Sequence, residues 1–127
     1  MTGKDTARKP DPSLRLRIVF GDVVMLGPGK AELLERIQQT GSIAAAGRSM
    51  AMSYKRAWML VETMNAAFCE PLVASSRGGA KGGGAYLTDT GLAVLAQYRA
   101  MEAAMADAGA AQIQALQALL RDIPTGK

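Results

Sequence analysis

At 127 residues, with 49% hydrophobic and 5% aromatic side chains, the chain suits one domain with an aliphatic core and is too apolar for global disorder. It has no histidine and one cysteine, which excludes a histidine acid, base or metal ligand, an intrachain disulfide and a thiolate cluster. The formal charge of +4 is unevenly spread: Arg48, Lys55, Arg56, Arg77 and Lys81 are set against only Glu62 and Glu70 in the middle of the chain, while signs nearly balance from Asp89 onward. That distribution suits a phosphate-contacting unit joined to a neutral assembly unit.

Residues 1–13 are polar and proline-punctuated and read as a disordered basic arm, in which Lys4, Arg8 and Lys9 can brush phosphate although a solvated tail is the favoured role. Residues 14–20 begin with Leu14 and Leu16 alternating against Arg15 and Arg17, the pattern of a half-buried strand. Gly21-Asp22 is a turn dipeptide, and residues 23–26 return antiparallel to complete a packing ribbon. Gly27-Pro28-Gly29 then breaks the chain, and Pro28 suits the first position of a helix that runs to Thr40, buries Leu33, Leu34 and Ile37, and stops at Gly41.

Two short helices follow. Ser42 is an N-cap for small helix formers that stop near residues 50–52, and Ser53 is a second N-cap. At about 100° per residue, Ala57, Val61, Met64 and Phe68 fall on one face of the second helix, with Lys55, Arg56, Met59, Glu62 and Thr63 on the other. Lys55 and Arg56 occupy the first turn, where the helix dipole disfavours a cation by roughly 0.3–1 kcal/mol. An external phosphate at that end accounts for the placement, so residues 53–68 are read as the recognition helix of a helix-turn-helix. Tyr54 and Trp58 lie near the edge of the buried face, and Trp58 is assigned to the core in preference to DNA contact. Cys69 is read as a small hydrophobe near the helix end.

After Pro71, residues 72–74 read as a strand, residues 77–84 as a glycine-rich loop carrying Arg77 and Lys81, and residues 85–87 as the returning strand. A hairpin directly after a recognition helix is a wing, with its cations beside phosphate or minor groove, and a purely structural flexible turn is the alternative. The loop lacks the Lys-Ser/Thr and following helix of a phosphate-binding P-loop. Thr88 caps the next helix, which continues to about residue 107 and, past a break or kink at Gly109, over residues 110–121. Leu92, Leu95, Ala96 and Arg99 share one side of its first part, and Ile113, Leu116 and Leu120 one side of its second. So long a segment exceeds what the small domain can cover, and it is read as the dimerisation element.

In combination, Gly41-Ser42-Ile43, Ser53-Tyr54-Lys55 with Ala57-Trp58, Asn65, residues 78–84 and Leu87-Thr88 with Gly91 resemble the N-terminal domain of the ModE-type molybdate-responsive regulators, related in type to the LysR winged helices. The resemblance implies a dimeric winged helix-turn-helix whose second helix enters the major groove. Where such proteins often carry glycine in the turn, this chain has Ala51, which costs on the order of 1–2 kcal/mol if left-handed. The chain ends at Lys127 and is read as a stand-alone version without the molybdate-binding domains.

The expected fold is therefore mainly α with small β: a disordered arm (1–13), a winged helix-turn-helix (14–88) preceded by a short β-hairpin, and a long C-terminal dimerisation helix (89–127). The expected function is binding of a palindromic operator on double-stranded DNA as a homodimer, through Ser42, Ser53, Tyr54, Lys55, Arg56, Met59, Arg77 and Lys81. Oxyanion binding or sensing and non-specific architectural DNA binding are the alternatives, and a separate sensor protein is kept open as a partner. Scattered carboxylates and a nucleophile without a partner argue against catalysis, and no cofactor is expected. Without a membrane-length apolar run or a secretory segment, the expected location is the cytoplasm, with no membrane role.

Overall fold

The computed structural model describes residues 9–76 and 84–122. Their order is β1 (Ile18–Phe20), β2 (Val24–Leu26), α1 (Pro28–Thr40), α2 (Ile43–Ser49), α3 (Tyr54–Ala67), β3 (Val73–Ser76), β4 (Gly84–Leu87), α4 (Asp89–Ala108) and α5 (Ala110–Ala118). The chain is thus mainly helical with two small antiparallel strand pairs. It divides into a unit of residues 15–100 and a second unit of residues 1–14 with 101–127.

In the larger unit, α1 is the central helix. Pro28 opens it, at a position where the missing N–H leaves no helical bond unmade. Gly41 closes it in the left-handed region (φ 73°), donating its N–H to the Ile37 carbonyl at 2.8 Å. Ala31, Leu33, Leu34 and Ile37 are fully buried, as are Ala46, Ala57 and Leu72, with Val61 and Met64 nearly so. α2 and α3 approach closely because Gly47 has no side chain: a Cβ there would lie 2.9 Å from that of Ala57.

The second strand pair is locked to the helices by backbone groups. β3 and β4 pair in the register Val73↔Leu87 to Ser76↔Gly84, and the Gly41 carbonyl accepts the Ala85 N–H at 2.9 Å. Asn65 on α3 accepts the N–H groups of Leu72 and Val73 on Oδ1 and donates from Nδ2 to the Val73 carbonyl. Thr88 accepts the Gly91 N–H on its hydroxyl oxygen at 3.0 Å, the expected cap of α4, and donates the hydroxyl to the Pro71 carbonyl. The loop that carries Arg77 and Lys81, expected as the hairpin tip, lies outside the described residues.

Several expectations need correcting. The strand expected over residues 14–20 is confined to residues 18–20, because its partner β2 offers only Val24–Leu26 before Gly27 begins the turn into α1. The buried positions of α4 are Gly91, Leu95 and Tyr98, whereas Leu92 is exposed and Arg99 reaches Glu35 and Glu32 on α1. Tyr98 is buried because its hydroxyl finds a partner, donating to the Leu16 carbonyl at 2.7 Å. Cys69 sits beyond the end of α3 as expected but is exposed.

Toward the C-terminus the chain breaks at Gly109, the position expected for a kink or break, and the described residues there form two helices. α4 ends where Gly109 donates its N–H to the Met105 carbonyl, and α5 begins where Gly109 accepts from Ile113. α5 ends at Ala118, short of the expected Arg121, and buries none of its residues. Of the expected arm, residues 1–8 lie outside the described residues. Lys9 pairs with Asp122 at 2.8 Å and donates to the Leu120 carbonyl, and Gln117 donates to the Pro10 carbonyl.

Candidate nucleic-acid interface

The candidate surface is built on α2 and α3. Both helices start at a serine whose hydroxyl oxygen accepts a backbone N–H three residues on: Ser42 from Ala45 at 3.0 Å and Ser53 from Arg56 at 3.1 Å. The turn between the helices passes through Ala51 with φ 59°, the left-handed conformation that alanine resists. It is held by N–H donors from Ala51 to the Arg48 carbonyl and from Met52 to the Gly47 carbonyl, each at 3.0 Å. Arg36 of α1 braces the end of α2 by donating to the carbonyl and hydroxyl of Ser49.

With Ala57, Val61 and Met64 turned into the core, α3 presents Tyr54, Lys55, Arg56, Trp58 and Met59 to solvent. Among the described residues, neither Lys55 nor Arg56 has a carboxylate partner, and the first acid on the helix is Glu62. These unneutralised cations lie in the first turn, where the helix field also opposes them. Tyr54 and Trp58 stack with ring centroids 6.4 Å apart and planes 13° apart.

Those of the singled-out residues that are described line two recesses. Ser42 and Tyr54 line one of about 270 Å³ with Trp58, Ser75 and Gly84 of the strand pair. Ser53, Lys55, Arg56 and Met59 line another of about 230 Å³ with Leu60 and Thr63. Arg77 and Lys81 lie outside the described residues. Trp58 corrects the sequence reading: assigned to the core, it is 37% exposed. It lies at the edge of the buried face, beside Tyr54. The AW dipeptide gave a signal, but periodicity alone places Trp58 at the boundary.

Basic residues outside α3 also belong to this surface. Arg15, Arg17 and Lys30 line a cleft of about 330 Å³ that includes Arg56. The alternation of residues 14–17 exposed the two arginines, but a ribbon pattern alone reads as packing.

No protein-family model matches the chain. It is 46% identical over 77 residues to the molybdenum transport protein ModE of Azotobacter vinelandii, covering 61% of this chain and 28% of that one. It is 44% identical over 81 residues to the molybdenum-pterin-binding protein MopB of Rhodobacter capsulatus, covering 64% and 30%. It is 37% identical over 87 residues to the transcriptional regulator ModE of Haemophilus influenzae, covering 68% and 34%. None of these names denotes an enzyme. Among the described residues, no helix is long and apolar enough to cross a membrane, and no group of side chains is suited to a metal ion. Through about three-fifths of its length the chain is a homologue of proteins named as a molybdenum transport protein, a molybdenum-pterin-binding protein and a transcriptional regulator, and it spans about a third of their length.

Proposed function

We propose that this chain is a transcriptional regulator of the ModE type, a winged helix-turn-helix protein that binds a palindromic operator as a homodimer in the cytoplasm, with a link to molybdenum. The observation that carries this reading is the exposed face of α3, where Lys55 and Arg56 stand without carboxylate partners beside Tyr54, Trp58 and Met59. In the proposed complex α3 lies in the major groove. Lys55 and Arg56 reach phosphates or guanine edges, and Tyr54 and Met59 offer apolar contact to thymine methyl groups. Ser42 and Ser53, whose oxygens accept helix N–H groups, retain their hydroxyl hydrogens to donate to phosphates. Arg77 and Lys81 are proposed from the sequence as contacts on the loop of the β3–β4 wing. The exposed leucines of the C-terminal segment supply the dimer contact.

The test is titration of the best-recovered genomic DNA fragment against a scrambled duplex at fixed salt. A palindromic site bound about 10³-fold tighter than scramble supports the reading. Equal binding of both duplexes points to an architectural protein, and binding to neither overturns DNA recognition. Lys55→Ala and Arg56→Ala weaken binding and flatten its salt dependence, and unchanged affinity in both variants removes α3 from the interface.

A second reading is direct binding of a molybdenum species such as the oxyanion, in line with a relative named for molybdenum-pterin binding. Calorimetric titration with molybdate, tungstate and sulfate separates it, since only this reading gives heat in the absence of DNA.

A further inference from the structure

The cleft beside α3 is lined by cations from three separate parts of the fold. Arg15 and Arg17 come from the segment before β1, Lys30 from the first turn of α1, and Arg56 from α3, with Met25, Met52 and Leu60 forming apolar wall. No carboxylate lines it among the described residues. Arg15, Arg17 and Arg56 are exposed and have no side-chain hydrogen bond or ion pair among those residues. Lys30 is tethered, its ammonium donating to the Met25 carbonyl at 2.8 Å.

This convergence has a local cause. Gly27 is buried beneath the incoming chain, and a Cβ there would lie 3.8 Å from the Leu16 carbonyl oxygen and 3.9 Å from Cγ of Arg17. These are ordinary van der Waals distances, so the segment before β1 runs directly against the start of α1 with the stem of Arg17 beside Gly27. Like charges gathered in one cleft repel one another, and an anion entering the cleft relieves that repulsion. The arginines stay exposed, so the cleft suits a ligand that remains largely in water, and Arg56 and Leu60 line both this cleft and the recess on α3.

We infer that this cleft is a second phosphate-binding site, which takes the sugar-phosphate backbone of the duplex whose groove α3 enters, with Arg15 and Arg17 as its outer contacts. The inference rests on the DNA-binding reading above. A charged, solvated, one-sided cleft continuous with the α3 face fits a passing polyanion strand. Arg15 and Arg17 then fix position on the duplex and contribute affinity without selecting sequence.

The full chain and its Arg15→Gln/Arg17→Gln variant are titrated with operator and scrambled duplex over a range of salt, beside Lys55→Ala. Arg15→Lys/Arg17→Lys serves as the charge-keeping control, and circular dichroism checks that each variant is folded. The expected result for the glutamine variant is a slope of log K against log salt shallower by about 1–2, with equal fold-losses on both duplexes. The lysine variant restores most of the slope. If Lys55→Ala weakens binding while the folded glutamine variant keeps the native slope and affinity, the second site is overturned and the DNA-binding reading survives. If the native chain binds no duplex, both fall. Pyrophosphate bound by the native chain but not by the glutamine variant, with equal duplex affinity in the two, reassigns the cleft to a small anion and also overturns the inference.

Discussion

Asn65 pairs with both backbone groups of Val73: Oδ1 accepts the Val73 N–H at 3.0 Å while Nδ2 donates to the Val73 carbonyl at 3.0 Å. One side chain of α3 thereby substitutes for a neighbouring strand and ties the helix to β3 with strand-like hydrogen bonds. The further bond from the Leu72 N–H to Oδ1 at 2.8 Å secures the turn into the strand.

Asn65→Ala leaves these partly buried backbone groups without their partner. Each such loss costs about 1–3 kcal/mol, less where water reaches the group, so a total of about 2–3 kcal/mol is expected. Asn65→Asp keeps the acceptor for two N–H groups and loses the donor to Val73, and it falls between Ala and native. Urea unfolding of the three proteins gives the order, and equal midpoints contradict the bracing role.

Ala51 sits at φ 59°, where an L-residue is strained by roughly 1–2 kcal/mol. Ala51→Gly relieves that strain but adds about 0.5–1 kcal/mol of unfolded-state entropy. The net expectation is a stabilisation of about 0.5–1 kcal/mol, read as a higher thermal midpoint. A lower midpoint means that the turn tolerates alanine without strain.

Glycine positions in α1 and α4 respond in opposite ways to alanine. A Cβ on Gly91 would lie 2.1 Å from the Leu72 carbonyl oxygen, whereas one on Gly29 meets nothing within 4 Å. Gly91→Ala forces α4 away from Leu72 and costs about 1–3 kcal/mol or more, while Gly29→Ala, in the first turn of α1, gains up to about 0.5–1 kcal/mol from helix propensity. Comparison of their melting curves checks the contrast, and equal shifts refute it.

Glu32 is held below its ordinary pKa, first by the hydrogen bond from Arg36, with the charges of Arg36 and Arg99 and the Arg99 hydrogen bond adding to it and desolvation opposing. Because the folded pKa is depressed, the contribution to stability is fully present above the unfolded carboxylate value and lost as pH falls through the folded value. The carboxylate is partly exposed, so the effect is small. Stability curves of native protein and Glu32→Gln are expected to converge below the normal carboxylate range and separate above it. A constant gap at all pH values rules the linkage out.

Self-association is tested on α5, where Leu116 is 64% exposed and Leu119, just beyond it, 82%. Sedimentation of the native chain at micromolar concentration is expected to give a dimer, and Leu116→Glu/Leu119→Glu a monomer. A native monomer removes the dimer from the proposed function.

The helices were legible because their apolar spacing and caps are local: Ser42, Ser53 and Thr88 each cap as expected, and Ala57, Val61 and Met64 form the buried stripe of α3. What escaped depends on distant parts of the chain. Alternation in residues 14–20 specifies which side chains share a face but not how much partner strand exists. Gly91 carries no hydrophobic signal, yet it sits close against Leu72 and shares the buried side of α4 with Leu95 and Tyr98. The basic cleft was hidden for the same reason, since Arg15, Arg17, Lys30 and Arg56 are brought together by the fold and not by sequence spacing.

Trp58 is the only tryptophan in the chain, and its ring stacks on Tyr54 at the exposed face of α3 rather than in the core. The protein therefore carries its own optical reporter at the surface in question. A ligand that covers α3 changes the indole emission directly, without a dye or a label, while one seated elsewhere leaves the spectrum unmoved.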